Sequence, residues 1–144
     1  MKNWIKIIIV LVILGIIGAG LGYKFIYNKP HRNYEKAKPD YKVSSQELFS
    51  NYQNARHAAE KKYNGKVLEI NGYLNKVETP DSLTIGIMVL GNGMFGDEGI
   101  RFTMLPKFSD QLSAFVGAQV IIKGYCTGYN DTDVIFEKCS IVKL

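Results

Sequence analysis

The sequence is poor in the residues from which metal and nucleophilic sites are usually built. It has two cysteines and two histidines in 144 residues. Cys126 and Cys139 form no C-x-x-C pair and have no histidine near them in sequence, which argues against a zinc or thioredoxin-like site. His31 and His57 lie in polar stretches, where we expect solvated side chains. We therefore predict no metal, no cofactor and no catalytic residue, and we expect that the protein is not an enzyme.

The sequence also lacks a basic folded domain, although its net charge is +5. Residues 1–43 carry +6 and residues 44–144 carry −1, so the whole excess lies in the N-terminal part. A domain near neutrality has no broad field that would gather phosphates and release counterions. This distribution argues against nucleic acid and favours a basic segment beside a membrane.

One long stretch has no charge at all. Residues 7–23 read IIIVLVILGIIGAGLGY. They span about 26 Å as a helix, and Trp4, Lys6 and Tyr27 extend the segment to bilayer thickness. We predict a transmembrane anchor over residues 1–27. A cleaved signal segment is the alternative, because the start MKNWIK is suitably basic.

Small residues recur four positions apart within the anchor. Such a face lets a second transmembrane helix approach closely. The pattern predicts a helix–helix contact through Gly15, Gly18, Ala19 and Gly22.

The charges around the anchor leave its orientation open. More Lys and Arg follow the helix than precede it, and this count places the C-terminal domain in the cytoplasm. Short basic N-terminal tails nonetheless often stay inside while the rest of the chain is exported.

Residues 28–43 read NKPHRNYEKAKPDYKV, with two prolines, many charges and no periodicity. They predict a basic, semi-extended tether of roughly 20–50 Å. The folded domain would then comprise residues 44–144. It begins with a helix capped by Ser44 and Glu47 of the capping box SSQE and ended by Gly65. Its apolar stripe comprises Leu48, Tyr52, Ala55, Ala59 and Tyr63.

Five short runs of alternating apolar residues follow the helix. They lie near 68–74, 83–89, 100–104, 120–126 and 134–141, with a short helix in 106–117. This order predicts a β fold with short helices, an OB-type Greek-key barrel of five strands. The first and fourth runs each carry a late glycine, Gly72 and Gly124, as expected of neighbouring strands that bend sharply. A skip between Phe136 and Cys139 predicts a bulge.

Three segments resemble the tRNA_anti-like family: KKYNGKVLEINGYL (61–74), VIIKGYCTGY (120–129) and DVIFEKCSI (133–141). These motifs are strand and glycine patterns. The resemblance implies a small OB-fold domain that often follows a membrane anchor or export signal, which favours the exported side of the membrane. It implies no particular ligand.

OB domains usually bind ligands on the face of their second and third strands. Alternation points Thr84, Met88, Arg101 and Thr103 outward there, and Tyr73, Tyr125 and Tyr129 lie near strand ends. Aromatic rings with an arginine can stack on bases, whereas tyrosines are equally good anchors for a protein.

The segment GNGMFG (91–96) has the letters of G-x-G-x-x-G. A dinucleotide site needs a helix next, but a strand follows and begins with Asp97 and Glu98, which would repel phosphate. We predict a hairpin loop. Met94 and Phe95 at its tip either contact a partner or the membrane, or fold back over the open end of the barrel.

The two cysteines are predicted to be buried thiols. If the last two strands form a hairpin, Cys126 faces about Ile135, and Cys139 lies about 13 Å further along. That separation is too long for a disulfide, which is the alternative if the domain is exported.

The sequence therefore predicts a single-pass, membrane-anchored OB-fold binding module whose ligand is a protein or another cell-envelope component. One alternative is a nucleic-acid-binding OB domain at the membrane face. The other is an accessory subunit of a membrane complex, held through the glycine-rich helix. No small-molecule substrate is indicated.

Overall fold

The computed structural model describes residues 2–26 and 33–143. The chain divides into two compact units, residues 1–32 and 33–144. The predictions for Tyr27, His31 and residues 28–32 of the tether lie outside the described residues.

The described part of the first unit is a single helix of 25 residues, α1 (Lys2–Ile26). None of its residues is buried, and its mean hydropathy reaches 2.6. The helix is long and apolar enough to cross a membrane, a property that signal sequences share. A Cβ added at Gly15, Gly18 or Gly22 would meet no atom within 4 Å. The predicted helix contact through these glycines and Ala19 stays a prediction.

The second unit is a mixed β-sheet with short helices. Its elements are β1 (Tyr41–Ser44), α2 (Ser45–Asn54), α3 (Arg56–Tyr63), β2 (Val67–Tyr73), β3 (Lys76–Glu78), β4 (Ile85–Gly93), β5 (Gly96–Met104), α4 (Ser109–Leu112), β6 (Gln119–Tyr129) and β7 (Asp133–Lys143). The seven strands are ordered β1-β2-β6-β7-β5-β4-β3. All pairs are antiparallel except β1 with β2 and β5 with β7.

The barrel closes because β2 and β3 are two parts of one bent strand. β2 pairs with β6, and β3 pairs with β4 at the other end of the sheet order. Asn75 stabilises the bend. Its backbone N–H donates to Ile87 O at 2.9 Å, and its side-chain Oδ1 accepts from Val89 N at 2.8 Å. The OB prediction is confirmed. Five predicted strands become seven because the first is split and β1 is added.

The late glycines of β2 and β6 lie where neighbouring side chains approach the backbone. A Cβ on Gly72 would lie 2.6 Å from Met88 Sδ, and one on Gly124 would collide with Cys139 Sγ. Opposite Gly124, β7 carries one extra residue, and Lys138 takes a positive φ of 53° there. This is the bulge predicted between Phe136 and Cys139.

The predicted helix is broken into two. Ser44 Oγ accepts from Glu47 N at 3.2 Å, which confirms the cap, and Gly65 has the expected positive φ of 75°. Ala55, however, has φ −142° and ψ 56°, so α2 ends there and α3 begins. The other four stripe residues are buried, whereas Ala55 is exposed, because the break removes it from the helical face.

The tether prediction is wrong for residues 33–43. Residues 33–40, called the strap, pack against the barrel, and residues 41–44 form β1. Asp40 N donates to Val67 O at 2.7 Å, and Asp40 Oδ2 accepts from Val67 N at 2.9 Å. The Tyr34 ring packs on Tyr125 with centroids 5.3 Å apart. The folded unit therefore begins at Asn33 and not at Ser44, because specific contacts offset the polar composition.

Candidate functional site

Strands β4 and β5 present one outer surface of the barrel. In their ladder Ile85 lies opposite Thr103, and Ile87 lies opposite Arg101. Residues directly opposite one another share a face of the sheet. The surface, called the β4–β5 face, comprises Ile85, Ile87, Val89, Arg101 and Thr103.

The outward prediction is right for Arg101 and Thr103 and wrong for Thr84 and Met88. Met88 lies opposite core residue Ile100 and is fully buried, and Thr84 is 6% exposed. The sequence does not show which residues of β4 face the core, because the strand is apolar on both sides. On its core side, the ring of Phe102 lies against Gly86, where a Cβ would not fit.

Arg101 is held by two carboxylates. Its Nε donates to Asp133 Oδ2 at 3.0 Å, and its Nη1 donates to Glu78 Oε2 at 3.4 Å. Asp133 also accepts from Gly99 N at 3.0 Å, and its side chain is only 8% exposed. These two carboxylates therefore fix the position of the guanidinium and neutralise its charge.

Lys76 borders the same surface, because it lies opposite Ile87 in the β3–β4 ladder. It forms an ion pair with Asp97. Ile87 lies between Lys76 and Arg101 and is 3% exposed. Both cations at the β4–β5 face thus have carboxylate partners.

Sequence reasoning missed the roles of Asp133 and Glu78. Turn chemistry at the β6–β7 hairpin is the only local signal that the sequence carries at Asp133. That chemistry is present, since Asn130 Oδ1 accepts from Asp133 N at 2.7 Å. The pairing with Arg101 depends on the parallel ladder of β5 and β7, for which the sequence carries no local signal.

The three predicted tyrosines lie on other elements and do not form one surface. Tyr73 is 53% exposed at the end of β2, opposite Gln119. Tyr125 packs on the strap. Tyr129 packs against Phe49 of α2, with centroids 6.4 Å apart, and under the Arg56 guanidinium at 5.4 Å. Their role as ligand contacts stays a prediction.

Met94 and Phe95 form the tight turn between β4 and β5. They are 92% and 88% exposed, so the alternative in which they fold back over the barrel is wrong. Gly93 and Gly96 pair on either side of the turn. Two large apolar side chains on a short turn are available for contact with another molecule.

The two thiols are buried and free of disulfides. Burial raises the pKa of Cys126 to about 11 and that of Cys139 well above its ordinary value. Tyr52 Oη lies 3.4 Å from Cys126 Sγ and donates to Asn64 Oδ1 at 2.6 Å. Thiols with raised pKa are weak nucleophiles at neutral pH.

The remaining titratable groups form no metal cluster that the structure describes. Within residues 2–26 and 33–143, no group of three or more His, Cys, Asp and Glu side chains is placed to hold an ion. His57 is exposed on α3, as predicted.

A comparison with protein families decides the relationship of the chain. The family model described as tRNA_anti-like matches residues 1–141. The chain belongs to the tRNA_anti-like family. Membership confirms the resemblance carried by the strand and glycine motifs. This tRNA_anti-like chain has an OB-fold domain preceded by an apolar helix.

Among solved structures, the tRNA_anti-like chain is similar to one described as the crystal structure of yeast Stn1 and Ten1. The identity is 12% and the TM-score is 0.36. The match covers 78% of this chain and 66% of that one, so this chain spans somewhat less than two thirds of the neighbour. No curated protein matches the chain.

Proposed function

We propose that this protein is a single-pass, membrane-anchored OB-fold binding module without catalytic activity, and that its ligand is a protein of the cell envelope. The observation that carries the proposal is the β4–β5 face, the usual ligand side of an OB barrel. Ile85 and Val89 are partly exposed on this face, Ile87 is covered between Lys76 and Arg101, and both of these cations are already paired with carboxylates.

The charges around this face favour a protein over a polyanion. Lys76 and Arg101 face Glu78, Asp97 and Asp133, so carboxylates outnumber cations. Binding of a nucleic acid draws its affinity from cations that replace counterions at phosphates. A phosphate at this face would have to displace carboxylates from both cations.

The exposed turn supports an apolar contact with a partner. Met94 and Phe95 continue the β4–β5 hairpin beyond the sheet. Large apolar and aromatic side chains are frequent anchors of protein interfaces. Leu83, which is 52% exposed just before β4, adds a further apolar contact.

Two properties support the remaining parts of the proposal. The buried, protonated thiols are poorly suited to nucleophilic catalysis. The 25-residue apolar helix α1 has the length of a membrane span. A compartment-dependent reporter fused after Leu144 determines on which side of the membrane the barrel lies.

Site-specific photo-crosslinking in the full chain tests the ligand. A photoreactive phenylalanine analogue at Thr103, a partly exposed position at one end of the face, is expected to give a discrete adduct in intact cells. The same analogue at Gln53, on the exposed side of α2, is the matched control. The adduct should be sensitive to protease and resistant to nuclease.

Three outcomes would contradict the proposal. A nuclease-sensitive adduct at Thr103 would identify nucleic acid as the ligand. Equal adducts at Thr103 and Gln53 would mean non-specific contact. Turnover of a substrate by the purified protein would contradict the absence of catalysis.

A further inference from the structure

Six lysines lie on one side of the domain, two on the strap and four on the barrel. The strap itself supplies Lys36 and Lys38, both exposed. In the ladders of β1, β2 and β6, Lys42 and Lys123 lie on either side of Glu69. The lysine face is defined as Lys36, Lys38, Lys42, Lys107, Lys123 and Lys138.

Three of these lysines converge on the strap from the barrel. Lys107 Nζ lies 2.8 Å from Glu35 Oε1, and Lys123 Nζ donates to Glu35 O at 2.5 Å. Lys138 Nζ lies 5.1 Å from the centroid of the Tyr34 ring. Lysines of the barrel therefore hold the strap, and the strap adds two exposed lysines of its own.

Two carboxylates of this side are less exposed than the lysines with which they pair, whereas Glu137, opposite Tyr125, is exposed. The side chain of Glu35 is 35% exposed, against 68% for its partner Lys107. Glu69 is 17% exposed, against 72% for its partner Lys42, whose Nζ lies 3.8 Å away. The six lysines outnumber these carboxylates, so this side carries a net positive charge.

The neutrality of the domain hides this division of charge. Residues 33–143 hold equal numbers of basic and acidic residues. The carboxylates around the β4–β5 face lie on β3, β5 and β7, and the lysine face lies on the strap, β1, β6, the middle of β7 and the segment after β5. In the sheet order β7 separates β6 from β5.

We propose that the lysine face docks the barrel on the anionic headgroups of a membrane. The inference rests on the proposed anchoring, which keeps the barrel close to lipid. Exposed lysines near an anionic leaflet each add favourable electrostatic free energy, which is lost beyond a Debye length. The β4–β5 face, on different strands, stays available for its ligand.

A lipid surface fits this side better than single-stranded nucleic acid. Binding of single strands combines cations with aromatic rings on which bases stack. Here the rings of Tyr34 and Tyr125 pack on each other, and Lys138 covers Tyr34. Cations without a stacking platform suit a layer of headgroups.

Vesicle flotation with residues 33–144 tests the inference. This fragment keeps its core, because α1 has no buried residue and the core cluster begins at Leu48. The probes are vesicles of phosphatidylcholine, with or without about one third phosphatidylglycerol. We expect binding to the anionic vesicles alone, lost as salt rises to about 0.5 M.

Paired variants locate the binding surface. Lys36→Gln with Lys38→Gln removes two positive charges from exposed side chains and is expected to weaken vesicle binding about tenfold or more. Gln53→Glu with Asn92→Asp changes the net charge equally on α2 and β4. This control should bind as the parent does. Circular dichroism verifies that each variant is folded.

Several results would overturn the inference. Equal binding to neutral vesicles would exclude headgroup charge as its basis. Equal weakening by the control would mean that net charge acts and not the face. Displacement from the vesicles by a short single-stranded oligonucleotide at lower concentration than lipid would identify nucleic acid instead. The crosslink from Thr103 does not depend on the lysine face, so failure of either proposal can be distinguished.

Discussion

At the residue scale, the barrel depends on glycines that admit neighbouring groups. Gly124 of β6 is the clearest case, because the bulge of β7 brings Cys139 over its Cα. Gly91 of β4 is a useful contrast. A Cβ there would lie 3.8 Å from Phe49 Cε1, an ordinary contact.

We predict that Gly124→Ala lowers the free energy of unfolding by about 1–3 kcal/mol, as overpacking in a core does. The new Cβ would collide with Cys139 Sγ and lie 3.2 Å from Glu137 O. Urea unfolding of residues 33–144 measures the change. Gly91→Ala is the control and should cost clearly less. Equal costs would mean that the loss does not come from crowding by Cys139 at Gly124.

The buried thiol of Cys126 makes stability depend on alkaline pH. Its pKa is raised from 9.0 to about 11, so the folded chain holds the proton more tightly than the unfolded chain. This contribution is fully present below pH 9.0 and is lost as pH rises through about 11.

We predict a loss of about 2–3 kcal/mol across that window, from the two-unit shift in pKa. Urea unfolding at a series of pH values measures it. Cys126→Ala should show a shallower decline, and the difference between the two curves reports the thiol together with its coupling to Tyr52. Parallel curves would contradict the assignment to this thiol.

At the element scale, the strap converts an apparent linker into part of the domain. The Tyr34 ring packs on Tyr125, and Glu35 accepts hydrogen bonds from two lysines. These contacts are few and partly exposed, so we expect the strap to open locally before the barrel unfolds.

We predict that Tyr34→Ala accelerates tryptic cleavage after Lys36 several-fold, because loss of the ring contact raises the population of the open strap. The urea midpoint of the barrel should change little. His57→Ala, at an exposed position on α3, is the control and should leave the cleavage rate unchanged. Protection equal to that of the parent would mean that Asp40 and β1 hold the strap alone.

At the scale of the whole molecule, the two units have separate tasks. The core cluster lies in residues 48–139, and α1 supplies an apolar exterior. A domain with its own core can fold alone.

We therefore predict that residues 33–144 are soluble and unfold in one cooperative transition, whereas the full chain stays with membranes after alkaline carbonate extraction. Fractionation and urea unfolding measure these two properties. Cleavage of the full chain after α1, with release of the remainder from membranes, would contradict anchoring. It would identify α1 as a signal sequence. An unfolded fragment would contradict the independence of the barrel.

The sequence by itself determined the elements whose causes are local. The cap at Ser44, the left-handed Gly65, the bulge of β7 and the hairpin turn at Met94 each follow from residue types within a few positions. The order of the strands, with glycines late in the first and fourth, also sufficed for the OB barrel.

Only the tertiary structure decided which charges and faces meet. Thr84 and Met88 point into the core, on the side where Phe102 lies against Gly86. The sequence could not show this direction, because β4 is apolar on both sides. Arg101 is neutralised by Asp133 across a parallel ladder, and the strap binds β2 and β6 through residues distant in sequence. Such pairings depend on contacts between strands far apart in the chain, and no local pattern records them.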